Sequence, residues 1–308
     1  MARRRDSFEP FDEALASVQL TDPWIHQQGG TPVYAPDYNV FERLLAIPLS
    51  SDKGWQSGGL ANSVDTWLAH ELRRSGFGSD EVWPRATRPR IVPRDIAVLL
   101  ELLPKKLSAE VRQRLSGDGF ASIVPTDARI LGRAYEKQVD VAIARWDRGP
   151  ELMLSTKTMV SSFGKNLANR FEEAYGDAGN LRGRYPLAAV GFFFLQRSTI
   201  LDAEPDAFEK TVDMMRKLRD LGGANGYTAT GLALVSHSDS GEVRIELDRV
   251  PEDVRPEQFL IKMIDQVLVA TPVAHHVDVR SKMERRTIPV VEEDESIVSA
   301  DSPADDTN

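Results

Sequence analysis

The chain has 308 residues, 41% hydrophobic and 28% charged, and no cysteine. It is long enough to bury a sizeable core, while disulfides, zinc–thiolate centres and cysteine nucleophiles are excluded. No run approaches the roughly 18 apolar residues of a membrane span, and the basic start MARRRDSFEP lacks the apolar stretch of a secretory signal, so a cytoplasmic location is expected. The formal charge of -9 argues less strongly against a polyanionic partner than it first suggests. Residues 292–308 hold seven acids and no base, which leaves -2 for the remainder, so local basic patches decide the matter.

In chain order, residues 1–35 are polar, with Pro23, Gly29, Gly30 and Pro32, and read as a loosely ordered arm. Residues 36–120 read as mainly helical. Leu60, Val64, Trp67, Leu68 and Leu72 recur at helical spacing, and a short helix through Ile96–Leu103 should stop near Pro104. Between them, Arg85, Arg88, Arg90 and Arg94 alternate with prolines. That segment reads equally as a stiff loop tracking DNA phosphates or as a solvated connector.

Thr126 or Asp127 can cap a helix running to about Glu136. Residues 138–145 then alternate, with Val139, Val141 and Ile143 on one face, and Asp147-Arg148-Gly149-Pro150 supplies a turn. Leu152–Met159 reads as the returning strand. A helix over 161–176 carries Phe163, Leu167, Phe171, Ala174 and Tyr175 on one side, and LAAVGFFFLQ (187–196) has the continuous apolar character of a strand buried on both faces. A helix (206–221), two strands (227–236 and 242–250) and a helix (256–269) follow, before an acidic tail expected to be disordered. The order predicts an α/β fold with a mixed sheet flanked by helices.

The hairpin concentrates the chemistry. With its turn centred between Arg148 and Gly149, Asp140 falls opposite Lys157, and Ser155 shares the face of Lys157. Ala142, Ala144 and Met153 around them are small or apolar. The plainer alternative is a half-exposed cross-strand salt bridge with no chemical role. His275-His276 with Asp278 reads as a surface loop, Gly222–Gly226 as a flexible loop without a phosphate-binding pattern, and no Ser/His/Asp arrangement stands out.

From about Thr126 to Gln196, the succession of helix, Asp-bearing hairpin with x-Lys, helix and buried strand resembles the αβββαβ core of the PD-(D/E)XK nuclease superfamily, to which many restriction endonucleases belong. Two of its three strands before the second helix can be placed. The resemblance matches Asp140 to the motif's Asp and Lys157 to its Lys, with Ser155 where the usual acid stands. One branch of restriction endonucleases with a similar Ser-x-Lys takes its second acid from the following helix, where Glu172 and Glu173 lie. Glu172 has the closer spacing, and Glu136 matches the acid often found on the first core helix. The implied activity is Mg²⁺-dependent hydrolysis of double-stranded DNA, with Mn²⁺ as a substitute. Asp140, Glu172 or Glu136, and the Thr156 carbonyl would be ligands, and Lys157 would act on the water.

The implied organisation is an arm (1–35), a helical DNA-recognition region (36–120), a nuclease domain (121–285) and a tail (286–308). Lys165 and Arg170 join the four arginines as DNA contacts. A type II-like restriction or anti-phage enzyme, dimeric and paired with a cognate methyltransferase, is expected. The alternatives are a repair or recombination nuclease, or a non-cleaving member that binds DNA or protein.

Overall fold

The computed structural model describes residues 7–27, 30–50, 55, 58–115, 124–125, 127–220, 225–238 and 240–288. The Thr126 cap, residues 222–224 of the glycine loop and the acidic tail beyond 288 lie outside them.

In chain order, α1 (Glu9–Ala16), β1 (Trp24–Ile25), β2 (Val33–Tyr34), α2 (Tyr38–Leu49), α3 (Gly59–Ser75) and β3 (Val82–Trp83) precede α4 (Arg94–Leu102) and α5 (Lys105–Leu115). The hairpin strands β4 (Ala128–Leu131) and β5 (Glu136–Val139) lead to β6 (Val141–Arg145), β7 (Gly149–Met159), α6 (Phe163–Arg182) and β8 (Ala189–Arg197). Then come α7 (Ile200–Ala203), α8 (Pro205–Asp220), β9 (Ala229–His237), β10 (Val243–Glu246), α9 (Pro256–Ala270) and α10 (Val277–Glu284). Among the described residues, no helix is long and apolar enough to cross a membrane.

The main sheet has six strands in the order β10-β9-β8-β7-β6-β3. Strands β7, β8 and β9 run parallel, and β10, β6 and β3 are each antiparallel to their neighbour. The apolar run of β8 lies inside this sheet, and its alternating side chains feed two cores. Phe193 points towards Trp67 of α3 and Phe259 of α9, whereas Phe192 and Phe194 meet Phe171 of α6. Burial on both faces removes the need for polar alternation, and each fully buried large apolar side chain contributes roughly 1.5–3 kcal/mol.

The expected stripe of α3 is the spine of the first core: Leu60, Val64, Trp67, Leu68 and Leu72 are all buried, together with Val141, Leu152 and Leu154 of the sheet. Residues 36–120 thus share a core with residues 121–285. The arm expected at the start is packed as well. Phe11, Trp24 and Tyr34 are buried in that same core, because three large aromatics outweigh the polar residues around them.

Two further expectations are corrected. The helix expected to end at Glu136 is instead the β4–β5 hairpin, with Ala128 paired to Val139 and Leu131 to Glu136. Its tip is seized by α6: Asn180 Oδ1 accepts from Ala134 N at 2.8 Å, Asn180 Nδ2 donates to the Tyr135 carbonyl at 3.0 Å, and Arg133 N donates to the Asn180 carbonyl. A Cβ on Gly132 would lie 2.2 Å from Asn180 Nδ2, so the close approach requires glycine there. Tertiary hydrogen bonds override local helix propensity.

The arginine-rich connector supplies the third antiparallel strand, β3, whose Val82 and Trp83 pair with Ile143 and Ala142. Two of its four arginines turn inward. Arg85 is buried, donates to Asp80 and reaches the Pro89 carbonyl at 3.0 Å. Arg90 is buried against the carbonyls of Arg85 and Ala86 and bonds Asp12. Arg88 pairs with Glu9 at 3.3 Å, and Arg94 lies 3.7 Å from Glu81. Arg85 and Arg90 thus shape the connector from inside, whereas Arg88 and Arg94 remain partly exposed beside their carboxylates.

Candidate active site

The β6–β7 register differs from the expected one. Val141 pairs with Leu154 and Ala142 with Met153, a shift follows between Ile143 and Ala144, and Arg145 pairs with Gly149. The loop is therefore centred on Asp147. Gly149, at φ +70°, accommodates the left-handed conformation where the chain returns. Asp140 consequently sits beside Ser155 and Thr156, not opposite Lys157. Asp140 N donates to the Leu154 carbonyl at 2.9 Å, and Thr156 N donates to Asp140 Oδ2 at 2.7 Å.

Asp140 occupies a bend between two sheets. Val139 ends the small hairpin and belongs to the core under α6, whereas Val141 begins the main sheet and faces α3. The expectation that Val139, Val141 and Ile143 share one face fails there, since one non-strand residue resets the alternation. The same bend aims the Asp140 carboxylate at the backbone of β7.

A second carboxylate arrives from a residue the sequence reading did not single out. Thr156 Oγ1 donates to Asp65 Oδ1 at 2.6 Å. Asp65 lies on α3 and is buried. The two acids therefore meet on Thr156, one on its amide and one on its hydroxyl. Burial pushes the Asp65 carboxyl well above the usual range, and the charge of Asp140 adds to this, against the Thr156 bond and the charge of Lys157. Burial also raises Asp140, opposed by the Thr156 amide and by Lys157 and Lys137. The only sequence signal for Asp65 is an acid on the flank of an apolar helical stripe, between Val64 and Trp67.

Beside the acids lies a charged network on the α6 side of the sheet. Lys157 Nζ bonds Glu173 Oε1 at 3.1 Å. Lys137 Nζ lies 3.5 Å from the same oxygen and also bonds Asp177, which accepts from Tyr135 at 3.0 Å. Arg170 lies 3.5 Å from Glu173 Oε2. Burial alone would raise Glu173, but the bond and charge of Lys157, with those of Lys137, hold its carboxyl below the usual range.

Of the other expected site residues, Ser155 is buried in β7 and brings no charge. Glu172, preferred over Glu173 on spacing, is exposed and lines an apolar groove between α6 and α8 with Tyr175, Met214 and Lys217. One step of 100° around the helix separates the two glutamates, and it is Glu173 that reaches the hairpin. Glu136 is exposed at the start of β5, a strand residue and not the acid of a core helix. Lys165 and Arg170 are exposed on α6.

His276 is also corrected. Its side chain is 2% exposed, and its Nε2 lies 3.1 Å from Glu151 and 3.0 Å from Arg148, beneath the edge of Phe77. It belongs to a buried polar cluster joining α10 to the sheet and not to a surface loop. Compared with known proteins, the chain matches no family model, no curated protein and no solved structure.

Proposed function

We propose that this protein is a metal-dependent nuclease that hydrolyses phosphodiester bonds in DNA. The observation that carries the reading is the meeting of Asp65 and Asp140 on Thr156, one residue before Lys157. Asp65 is buried and Asp140 half-buried, and the charge of Asp140 raises the proton affinity of Asp65, as expected of acids placed to share a cation. The sheet order adds support: with α4, α5 and the β4–β5 hairpin inserted between β3 and β6, the elements α3, β3, β6, β7, α6 and β8 give a helix, three antiparallel strands, a helix and a parallel strand. That is the order implied by the PD-(D/E)XK resemblance, with α3 in the place assigned to residues 126–136, and Asp65 then takes the role of the acid on the first core helix.

The donor set fits Mg²⁺. Among the described residues no group of three or more His, Asp or Glu side chains is arranged to hold an ion; the acids that meet on Thr156 bring two hard oxygen donors. Mg²⁺ is commonly held by one or two carboxylates, with water and substrate phosphate completing the shell. When bound, such an ion stabilises charge on phosphoryl oxygens and acidifies a water. Asp65 and Asp140 would hold it, Thr156 would fix the orientation of both carboxylates, and the Lys157 ammonium would orient the attacking water or stabilise developing negative charge.

Incubation of the purified full chain with phage and plasmid DNA, with and without Mg²⁺, tests this reading. Cleavage that needs Mg²⁺ and is lost in Asp65→Ala and Asp140→Ala supports it, and activity surviving both substitutions sinks it. Discrete fragments assign restriction, the arm in which a cognate methyltransferase and a dimer belong, and end-dependent loss assigns repair. Metal-dependent binding without cleavage would assign a non-cleaving member, a reading favoured by the absence of an acid at Ser155.

A further inference from the structure

We infer that Glu173 is a positioning residue that holds Lys157 away from the aspartate pair and so leaves Asp140 open to a cation. The role of the pair as a metal site rests on the function proposed above; the ion-pair geometry does not.

Lys157 follows Thr156 directly, and Thr156 carries both acids. A flexible ammonium beside a partly buried carboxylate is drawn to it, because attraction between charges strengthens as water is excluded. Yet among the described residues the ion-pair partner of Lys157 within 4.0 Å is Glu173, and Asp140 has no ion pair at all. The charge of Lys157 still reaches both aspartates, so it stands near them without capping them.

What holds Glu173 in turn is anchored at both ends. Arg170, one helical turn earlier, and Lys137, on β5, both flank its carboxylate. Lys137 is itself fixed by Asp177, which Tyr135 bonds from the hairpin tip that Asn180 clamps to α6. The order of dependence is therefore hairpin to Lys137, Lys137 and Arg170 to Glu173, and Glu173 to Lys157. A lysine collapsed onto Asp140 would neutralise half of the donor pair. A lysine held beside it remains available for chemistry.

The test combines structure with a double-mutant cycle on the full chain. Crystal structures without metal are compared for the wild type and Glu173→Ala, an exposed helical site where alanine is well tolerated, with Glu173→Gln as a second variant. Mn²⁺ affinity is measured by calorimetry for the wild type, Glu173→Ala, Lys157→Met and the double variant. In Glu173→Ala, Lys157 is expected to move into ion-pair distance of Asp140 and Mn²⁺ affinity to fall about tenfold, and in the Lys157→Met background the loss should vanish. The inference is overturned if Lys157 stays apart from Asp140 in the variants, or if the affinity loss persists without Lys157. Should the wild type take up no Mn²⁺, the nuclease reading fails, while the crystallographic position of Lys157 still decides this inference.

Discussion

Asp65 and Asp140 are bound by the same residue, the first on the hydroxyl of Thr156 at 2.6 Å and the second on its amide at 2.7 Å. One carboxylate comes from a helix packed on the sheet and the other from the bend that leads into β6. Thr156 thus brings one oxygen of each acid to a single residue of β7.

Asp65→Asn is expected to abolish Mg²⁺ binding and yet stabilise the metal-free fold near neutral pH. Burial and the charge of Asp140 raise the Asp65 carboxyl, so the folded state binds its proton more tightly than the unfolded state. Stability from this group is present in full below the ordinary carboxylate range, about pH 4, and declines as pH rises through the raised value. Thermal unfolding followed from acid to neutral pH should show a shallower decline in the variant. Added Mg²⁺ should stabilise the wild type increasingly as pH rises, since the ion displaces those protons. Identical pH profiles for the two proteins would refute this account of Asp65.

Lys157→Ala is expected to lower the cleavage rate by about 10²–10⁴-fold, the range for loss of a group acting on the transferred proton or the developing charge, with Mg²⁺ still bound. Glu172→Gln, on the groove side of α6, should leave both rate and metal affinity within about twofold. Single-turnover kinetics with metal titrations separates the two effects. A Glu172→Gln variant that loses metal would restore that residue as a ligand.

Of the connector arginines, the buried Arg85 should act on stability and not on DNA binding. Arg85→Ala leaves Asp80 unpaired and removes a bond to the Pro89 carbonyl, at a cost of about 3 kcal/mol in chemical denaturation. Its folded fraction should bind DNA as the wild type does. Lys165→Ala, on the exposed side of α6, should weaken binding and reduce the salt slope by about one. A lowered salt slope in Arg85→Ala would return that arginine to the DNA interface.

Asn180→Ala should loosen the β4–β5 hairpin from α6. It removes a side chain that accepts from Ala134 and donates to Tyr135, and unsatisfied groups of this kind cost about 1–3 kcal/mol. Hydrogen exchange should quicken at Ala134 and Tyr135 before the rest of the sheet. Uniform exchange across the sheet would contradict a local clamp.

Local pattern in the sequence determined the elements whose partners are generic. Any apolar surface satisfies the stripe of α3 or the two faces of β8, so periodicity alone identified them, and Asp140 and Lys157 stood out as charges on an apolar hairpin. Tertiary structure decided everything that depended on a specific partner. The 128–139 segment is a hairpin because Asn180 captures its tip, and Arg85 and Arg90 turn inward because Asp80 and Asp12 await them. Asp65 joins Asp140 because α3 packs across β7 at the height of Thr156. Spacing along a chain carries no record of such a meeting, for the distance between two side chains in different layers is set by the packing of the layers and not by the residues between them.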